Sequence, residues 1–328
     1  MLLTTIPTVH TILDAKPLGV EIQRRWKLAD PFHCELLVRG MNDVYLVKTA
    51  DKRYAARVWR ANYTLRGGND YELEFLAFIK ARGIPVATGV PLPSGGYLIT
   101  LQGPDGPRDV ALFEWVEGTL LFSQADPVPA ARKVGAFLGK MHIVARDFRH
   151  NPPRYGDFAE GIRDKFKFVA DIAAHKPDYV AFWRLCADRI LAARAKLDRN
   201  SLPWGVTHSD LHPHNAMVHA DNSVTIMDFD GCGEDFLAQE LAIFPWAGRK
   251  NGFPEPAIQA FMDGYDSVRP RTDAERAAEP LFIATKEMRL LCGFAANVNA
   301  VGHAAFRHPN LDWFRSSVEK NCRAAGLI

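Results

Sequence analysis

The sequence lacks a marked excess of charge of either sign. Its 328 residues carry 40 lysines and arginines against 38 aspartates and glutamates, which gives a net charge of +2. Proteins that bind nucleic acid through its phosphates need a basic surface, and the chain has no run of like charges long enough for an interaction tail. The composition therefore predicts no nucleic acid among the partners.

Long apolar runs and cysteines are also scarce. The apolar runs end well short of the roughly 20 residues that a helix needs to cross a bilayer, so we expect no membrane span. The five cysteines are scattered and odd in number, a usage typical of reduced thiols in a cytoplasm. Cytoplasmic localisation is therefore expected, and a homodimer is compatible with the sequence.

The 48% of hydrophobic residues suffice for a sizeable core, and their pattern changes along the chain. It is β-like up to about residue 117 and predominantly helical beyond it. We expect an α+β protein with an N-terminal helical extension at 1–29, a β-rich domain at 30–117 and a helical domain at 118–328.

Residues 206–230 carry polar side chains at spacings suited to phosphoryl transfer from a nucleotide. Asp210 follows His208 by two residues, Asn215 follows five later, and Asp228 ends an apolar, strand-like run. Such a reaction needs a carboxylate that orients the acceptor hydroxyl and takes its proton, and two oxygen ligands for Mg²⁺. Mg²⁺ prefers oxygen, so an amide carbonyl and a carboxylate form a suitable pair.

Two other interpretations of this stretch are a simple turn and a zinc site. A zinc site is considered because the stretch has three additional histidines, His212, His214 and His219. Zinc sites prefer paired cysteine and histidine ligands at short spacing, and Cys232 has no partner at that spacing. We favour the phosphoryl-transfer loop and expect these three histidines to shape it or to face solvent.

The segments His-Ser-Asp-Leu-His-Pro-His-Asn and Met-Asp-Phe-Asp-Gly-Cys-Gly resemble the aminoglycoside phosphotransferase family, which includes choline and homoserine kinases. The resemblance implies a two-lobed protein kinase-like fold, with an antiparallel β-sheet N-lobe that carries one main helix and a largely helical C-lobe. It implies Asp210 as the catalytic base and His208 as a loop-shaping residue. Asn215 and Asp228 would be the Mg²⁺ ligands.

The resemblance also implies an ATP-dependent kinase, with GTP left open as the donor. The expected acceptor is a hydroxyl of a small, amine-bearing molecule. Most protein kinases have arginine before the catalytic aspartate, and Ser209 at this place favours the small-molecule branch. Two alternatives stay open: a serine/threonine protein kinase of the bacterial stress-response type, and a nucleotide-binding regulator without turnover.

Three short strands are predicted between Cys34 and Arg60. The turn at 39–43, with Asn42, takes the place of the family's nucleotide-covering loop. It has one glycine, so an ordinary hairpin turn is an equal alternative. On the third strand, Arg57 takes the place of the family's phosphate-binding cation, and its competitor Lys48 is expected to face solvent.

An amphipathic helix is predicted over 69–82, and Gly83 stops it. Glu72 on this helix takes the place of the glutamate that pairs with the strand cation, with Glu74 as the alternative. Further strands are expected at 96–100 and 109–118. The second resembles the family's hinge, where backbone groups from Glu114 to Val116 would bind a purine ring.

Helices are predicted for most of the remaining chain, with Pro280 as a break or a kink. An early helix or two, interrupted at 17–19, is expected near the N-terminus. His142 is expected to be a core or capping residue and not a catalytic one. Glu240 stands where many family members have aspartate. An aminoglycoside acceptor would need an acidic cleft, for which the chain offers Glu234, Asp235, Asp263, Asp266 and Glu279; nothing in the sequence shows that these converge. The predicted helices span 129–148, 158–170, 178–198, 256–268, 272–279 and 281–300.

Overall fold

The computed structural model describes residue 6 and the ranges 8–61, 68–156, 158–302 and 310–328. Residues 1–5 and 7 of the predicted N-terminal extension lie outside them. The chain divides into two compact units. The first comprises 1–78, 87–116 and 297–305, and the second comprises 79–86, 117–296 and 306–328.

The first unit is built on a five-stranded antiparallel sheet in the order β1-β2-β3-β5-β4. Alternate side chains of the central strands enter its core, as in a sheet with one covered face. The unit also contains helix α1 and most of helix α2. The bounds are α1 Ala15–Trp26, β1 His33–Arg39, β2 Asp43–Lys48, β3 Arg53–Val58, α2 Asp70–Lys80, β4 Leu98–Gly103 and β5 Gly106–Glu114.

Helix α1 is continuous, so the predicted interruption at 17–19 is wrong. The Asp14 side chain accepts a hydrogen bond from the N–H of Lys16 and caps the helix. Pro17 lies in the first turn, where no helical partner for its N–H is needed. A Cβ at Gly19 would lie 2.8 Å from Cβ of Cys34, so the glycine lets α1 approach β1 closely.

The second unit is mainly helical. Its two small antiparallel sheets have the orders β6-β8-β9 and β10-β7. The bounds are β6 Thr119–Leu120, α3 Val128–Val144, α4 Phe158–Ile172, α5 Pro177–Ala195, β7 Trp204–Thr207, β8 Ala216–Val218, β9 Val224–Ile226, β10 Gly233–Phe236, α6 Leu237–Lys250, α7 Glu255–Asp266, α8 Asp273–Val301 and α9 Leu311–Ala324. Across the described ranges, no helix is both long and apolar enough to cross a membrane.

Two helices differ from the prediction. The segments predicted as helices at 272–279 and 281–300 form the single helix α8, so the predicted break at Pro280 is wrong. Helix α6 contains Pro245 and was not predicted. Both helices bury apolar side chains, Phe282 and Phe244 among them, and we attribute their continuity past a missing N–H to this tertiary packing.

Helices α3 and α7 pack at very short range in the core. A Cβ at Gly135 would lie 1.9 Å from the carbonyl oxygen of Phe261. A Cβ at Gly264 would lie 2.0 Å from the carbonyl oxygen of Arg132. His142 of α3 is buried beside Tyr265 of α7, with 2.9 Å between Nδ1 and the hydroxyl oxygen. The prediction that His142 is a core residue is confirmed.

Candidate functional site

Strands β8 and β9 bring two of the predicted site residues to one end of a hairpin. Ala216 pairs with Ile226, and the N–H of Met227 donates to the carbonyl of Asn215 at 3.0 Å. Asn215 directly precedes β8, and Asp228 follows β9 by two residues. The antiparallel register therefore places both residues at the same end, away from the turn at Asp221.

The side chain of Asn215 is oriented by the catalytic loop. Its Nδ2 donates to the carbonyl oxygen of Asp210 at 3.0 Å, which turns the amide oxygen away from that carbonyl. Asp228 has a left-handed backbone with φ of 67°, a conformation uncommon outside glycine. An amide oxygen and a carboxylate fit the ligand preference of Mg²⁺, and the assignment of both residues as ligands stays a prediction.

His208 ties the loop to this hairpin. The imidazole is buried, its Nε2 lies 3.0 Å from the carbonyl oxygen of Met227, and its Nδ1 lies 3.3 Å from the backbone nitrogen of Asp210. The carbonyl can only accept and the N–H can only donate, so the neutral tautomer with hydrogen on Nε2 satisfies both contacts. This geometry suits the predicted loop-shaping role.

Glu240 of α6 binds the backbone of the same loop. Its Oε2 accepts hydrogen bonds from the N–H groups of His208 and of Ser209, the latter at 3.1 Å. Ser209 has φ of 69°. Burial raises the pKa of Glu240, although His208 and the backbone donors act in the opposite direction.

The carboxylate of Asp210 reaches solvent, with 44% of its side chain exposed. Its Oδ1 lies 2.7 Å from Nζ of Lys286, and its Oδ2 lies 3.7 Å from Nε2 of His212. Burial acts to raise the pKa of Asp210, but the Lys286 ammonium, followed by His212 and His208, outweighs it and lowers the pKa to about 2. Asp210 is therefore ionised at neutral pH.

Lys286 is a site residue that the sequence analysis missed. It lies on α8, and the residue is only 9% exposed. Its Nζ lies 5.6 Å from the ring centroids of Phe158 and of Trp246. The available signal was a lone lysine among positions of α8 that are buried, such as Phe282, Thr285 and Met288.

The first unit contains the predicted pair of Arg57 and Glu72. Their Nη1 and Oε1 atoms lie 2.7 Å apart, and Glu72 is 1% exposed. The Arg57 guanidinium also lies 4.8 Å from the ring centroid of Phe113. Glu74 is exposed, and Lys48 pairs with Glu35 at the surface. The role of Arg57 and Glu72 in binding phosphate stays a prediction.

The other predicted nucleotide-binding residues lie at the ends of strands in the same unit. Asn42 is in the turn between β1 and β2, where its carbonyl accepts from the N–H of Gly40 at 3.2 Å. Glu114 ends β5, and its N–H donates to the carbonyl of Thr88 at 3.0 Å. Val116 follows outside regular structure. Their contacts with a purine nucleotide stay predictions.

The remaining histidines of the loop make structural contacts. The N–H of His214 donates to Nδ1 of His212 at 3.3 Å. His214 stacks on Phe122 with 4.1 Å between ring centroids, and His219 lies 2.8 Å from the hydroxyl of Thr225. His212 is the one that approaches Asp210. These contacts favour loop shaping over a shared zinc ion.

The acids considered for an aminoglycoside cleft are taken up by other partners. Asp235 pairs with Arg194 at 2.8 Å, and Asp263 pairs with Arg132 at 3.1 Å. Asp266 pairs with Arg271, and Glu234 accepts from the indole of Trp204. These four of the five candidate carboxylates, which lie on β10 and α7, thus have structural partners.

Comparisons with known proteins show the family of the chain and its fold. The model of the phosphotransferase enzyme family matches residues 37–279. A homoserine kinase of Afipia carboxidovorans is 29% identical over 225 residues, which are 67% of this chain and 65% of that protein.

Two solved structures share the fold. Amicoumacin kinase hAmiN in complex with AMP-PNP, Ca²⁺ and Ami aligns with a TM-score of 0.73 at 15% identity over 94% of both chains. The microcompartment-associated aminopropanol kinase aligns with a TM-score of 0.71 at 21% identity over 94% of this chain and 96% of its own. The predictions of a protein kinase-like fold and of a kinase are confirmed. Since the family model covers well over half of the sequence, the chain belongs to the phosphotransferase enzyme family.

Proposed function

We propose that this kinase transfers the γ-phosphoryl group of ATP to a hydroxyl of a small, amine-bearing molecule. The observation that carries the proposal is the grouping of Asp210, Asn215 and Asp228. A solvent-accessible carboxylate lies on a loop whose backbone holds the Asn215 amide, and Asn215 and Asp228 share one end of a hairpin.

In the proposed reaction Asp210 accepts a hydrogen bond from the acceptor hydroxyl and orients its oxygen. The bond from that oxygen to the γ-phosphorus forms while the bond to the β,γ-bridging oxygen breaks. The hydroxyl proton passes to the Asp210 carboxylate. A base with a low pKa suits a loose transition state, because the hydroxyl becomes acidic only as the new bond forms. Positioning therefore accounts for most of the catalysis.

The chain offers separate groups for the donor nucleotide. Asn215 and Asp228 are proposed to hold Mg²⁺, which neutralises charge on the phosphates when bound. Arg57, held by Glu72, is proposed for the α- and β-phosphates. The AMP-PNP and Ca²⁺ named for amicoumacin kinase hAmiN support an ATP-like donor with a divalent cation.

The acceptor proposal is supported by the names of the relatives. Homoserine and aminopropanol each carry one hydroxyl and one amino group. Because four of the candidate acids have partners elsewhere, a polycationic aminoglycoside has less support from the described residues than a small amino alcohol or hydroxy amino acid.

Transfer of radiolabelled phosphate from ATP with Mg²⁺ tests the proposal. The acceptor panel comprises homoserine, aminopropanol, choline, sugars, an aminoglycoside and a generic protein, and the blank is Asp210→Asn. We expect a labelled small molecule that is lost in the variant. Labelled protein without a small product would favour a protein kinase, and bound ATP without any transfer would favour a regulator.

A further inference from the structure

Lys286 has a side chain whose position is fixed by its surroundings. Its ammonium lies 2.7 Å from Oδ1 of Asp210, and its Nζ lies 5.6 Å from the ring centroids of Phe158 and of Trp246. Burying an ammonium is costly unless it is paired. With 11% of its side chain exposed, Lys286 is therefore held against Asp210 by burial and by charge.

The two oxygens of Asp210 consequently have different surroundings. Oδ1 is bound by the ammonium of Lys286, whereas Oδ2 lies 3.7 Å from His212, beyond normal hydrogen-bond length. The side chain of Asp210 is 44% exposed. An incoming hydroxyl therefore finds one oxygen already engaged and the other open to a new hydrogen bond.

We propose that Lys286 is a positioning residue for phosphoryl transfer, which fixes Oδ1 of Asp210 so that Oδ2 receives the acceptor hydroxyl. This inference rests on the proposed function. Without the ammonium, the carboxylate could rotate about its side-chain bonds, and either oxygen could turn away from the hydroxyl. Because the reaction depends on alignment, such freedom lowers kcat more than it changes the binding of ATP.

Lys286→Met tests this, because methionine is unbranched like lysine and carries no charge. We expect kcat to fall by about 10- to 100-fold, while KM for ATP changes less than about twofold. The assays are transfer to homoserine and hydrolysis of Mg-ATP, in which water replaces the acceptor. Lys250→Met is the matched control: its ammonium lies 4.8 Å from the same Trp246 ring, and we expect kcat to be unchanged.

A second comparison separates positioning from general support of the fold. In an Asp210→Asn background, Lys286→Met should lower the residual rate little further, because its target carboxylate is gone. A purely structural lysine would lower the rate by the same factor in both backgrounds. Lys286→Arg, which keeps the cation, should retain more activity than Lys286→Met. If urea unfolding shows that Lys286→Met is not folded, Lys286→Gln replaces it in both backgrounds.

The outcomes distinguish this inference from the proposed function. A wild-type kcat in Lys286→Met, or equal losses with and without Asp210, would overturn the role of Lys286 alone. A wild-type protein that neither phosphorylates any acceptor of the panel nor hydrolyses Mg-ATP would overturn the proposed function itself.

Discussion

The carboxylate of Glu240 accepts a hydrogen bond from the backbone N–H of Ser209 at 3.1 Å, and the same oxygen accepts from the N–H of His208. Ser209 has a left-handed backbone, which costs on the order of 1–3 kcal/mol for a residue other than glycine. Glu240 thus stabilises a strained turn directly before Asp210. Its longer side chain stands where many family members have aspartate.

Glu240→Ala should lower both stability and activity. The two backbone N–H groups would lose their acceptor inside the protein, at a cost of about 1–3 kcal/mol each. Glu240→Gln retains an acceptor oxygen and should cost less, which agrees with the raised pKa of the carboxyl group. Urea unfolding and kcat measure the two effects. Equal stability of the alanine variant and the wild type would show that the loop holds its shape without Glu240.

Glu72→Gln should weaken nucleotide binding. The substitution removes the charge that holds Arg57, and hydrogen bonds to charged groups contribute about 1.5–3 kcal/mol. We expect the Kd for ATP to rise by about tenfold or more, because 1.4 kcal/mol corresponds to a factor of ten. Isothermal titration with Mg-ATP measures it. Glu74→Gln removes an exposed carboxylate from the same helix and is the matched control, so an equal effect of both variants would argue against the pair.

Asp228→Ala should weaken the dependence of ATP binding on Mg²⁺. The variant lacks the carboxylate proposed as a metal ligand, so titration of Mg²⁺ at fixed ATP should show weaker coupling between the two. Asp221→Asn changes a carboxylate at the opposite end of the same hairpin, where Asp221 accepts from the N–H of Ser223, and should leave the coupling intact. Unaltered coupling in Asp228→Ala would remove Asp228 from the metal site.

Local spacing in the sequence predicted those features that depend on neighbours along the chain. The β9 strand of the catalytic hairpin follows from its apolar pattern. The pair of Arg57 and Glu72 was implied by the family resemblance, with Gly83 as the helix stop from which the position of Glu72 was counted. Helix α6, which contains Pro245, and the continuity of α8 past Pro280 did not follow, because proline is unfavourable inside a helix. Their continuity requires packing partners that are distant in sequence.

Lys286 illustrates the same limit for the site. It lies 76 residues after Asp210, and no spacing rule connects a helix position with a loop so far away. A lysine in a helix is usually solvated, and its position among buried residues of α8 does not by itself identify the carboxylate beside it. Only the packing of α8 against Phe158 and Trp246 brings the ammonium there.

His142 should make the protein less stable below neutral pH. Burial, followed by Arg269 and Arg146, lowers its pKa well below 6.5 in the folded state. Arg269 donates to the hydroxyl of Tyr265, which leaves that hydroxyl to donate to Nδ1 of the neutral imidazole. The unfolded chain therefore binds a proton below pH 6.5 that the folded chain does not.

The resulting loss of stability is about 1.4 kcal/mol per pH unit below 6.5, until the folded-state pKa is reached. Urea unfolding at pH 7.5, 6.5 and 5.5 measures it. His142→Gln offers an amide oxygen to Tyr265 and cannot be protonated, so its stability should fall less steeply over the same range. Parallel pH curves for the two proteins would show that His142 does not contribute.

Gly156→Ala should disturb the catalytic loop through Ser209. An added Cβ would lie 2.6 Å from the Ser209 hydroxyl oxygen, closer than Cβ contacts occur. That hydroxyl lies 2.8 Å from Oγ1 of Thr207, which donates to the carbonyl of Gly233 and so must accept from Ser209. Turning the hydroxyl away would break this bond, and overpacking costs about 1–3 kcal/mol.

The double variant Gly156→Ala with Ser209→Ala identifies the cause. Ser209→Ala removes the oxygen that the new methyl group meets, so the second substitution should restore part of the stability and of the kcat lost in Gly156→Ala. The two effects should therefore be non-additive, as expected for residues in contact. Additive losses of stability in urea unfolding and of kcat would mean that the alanine acts through the backbone near Gly156. Contact between the added methyl group and Ser209 would then not be the cause.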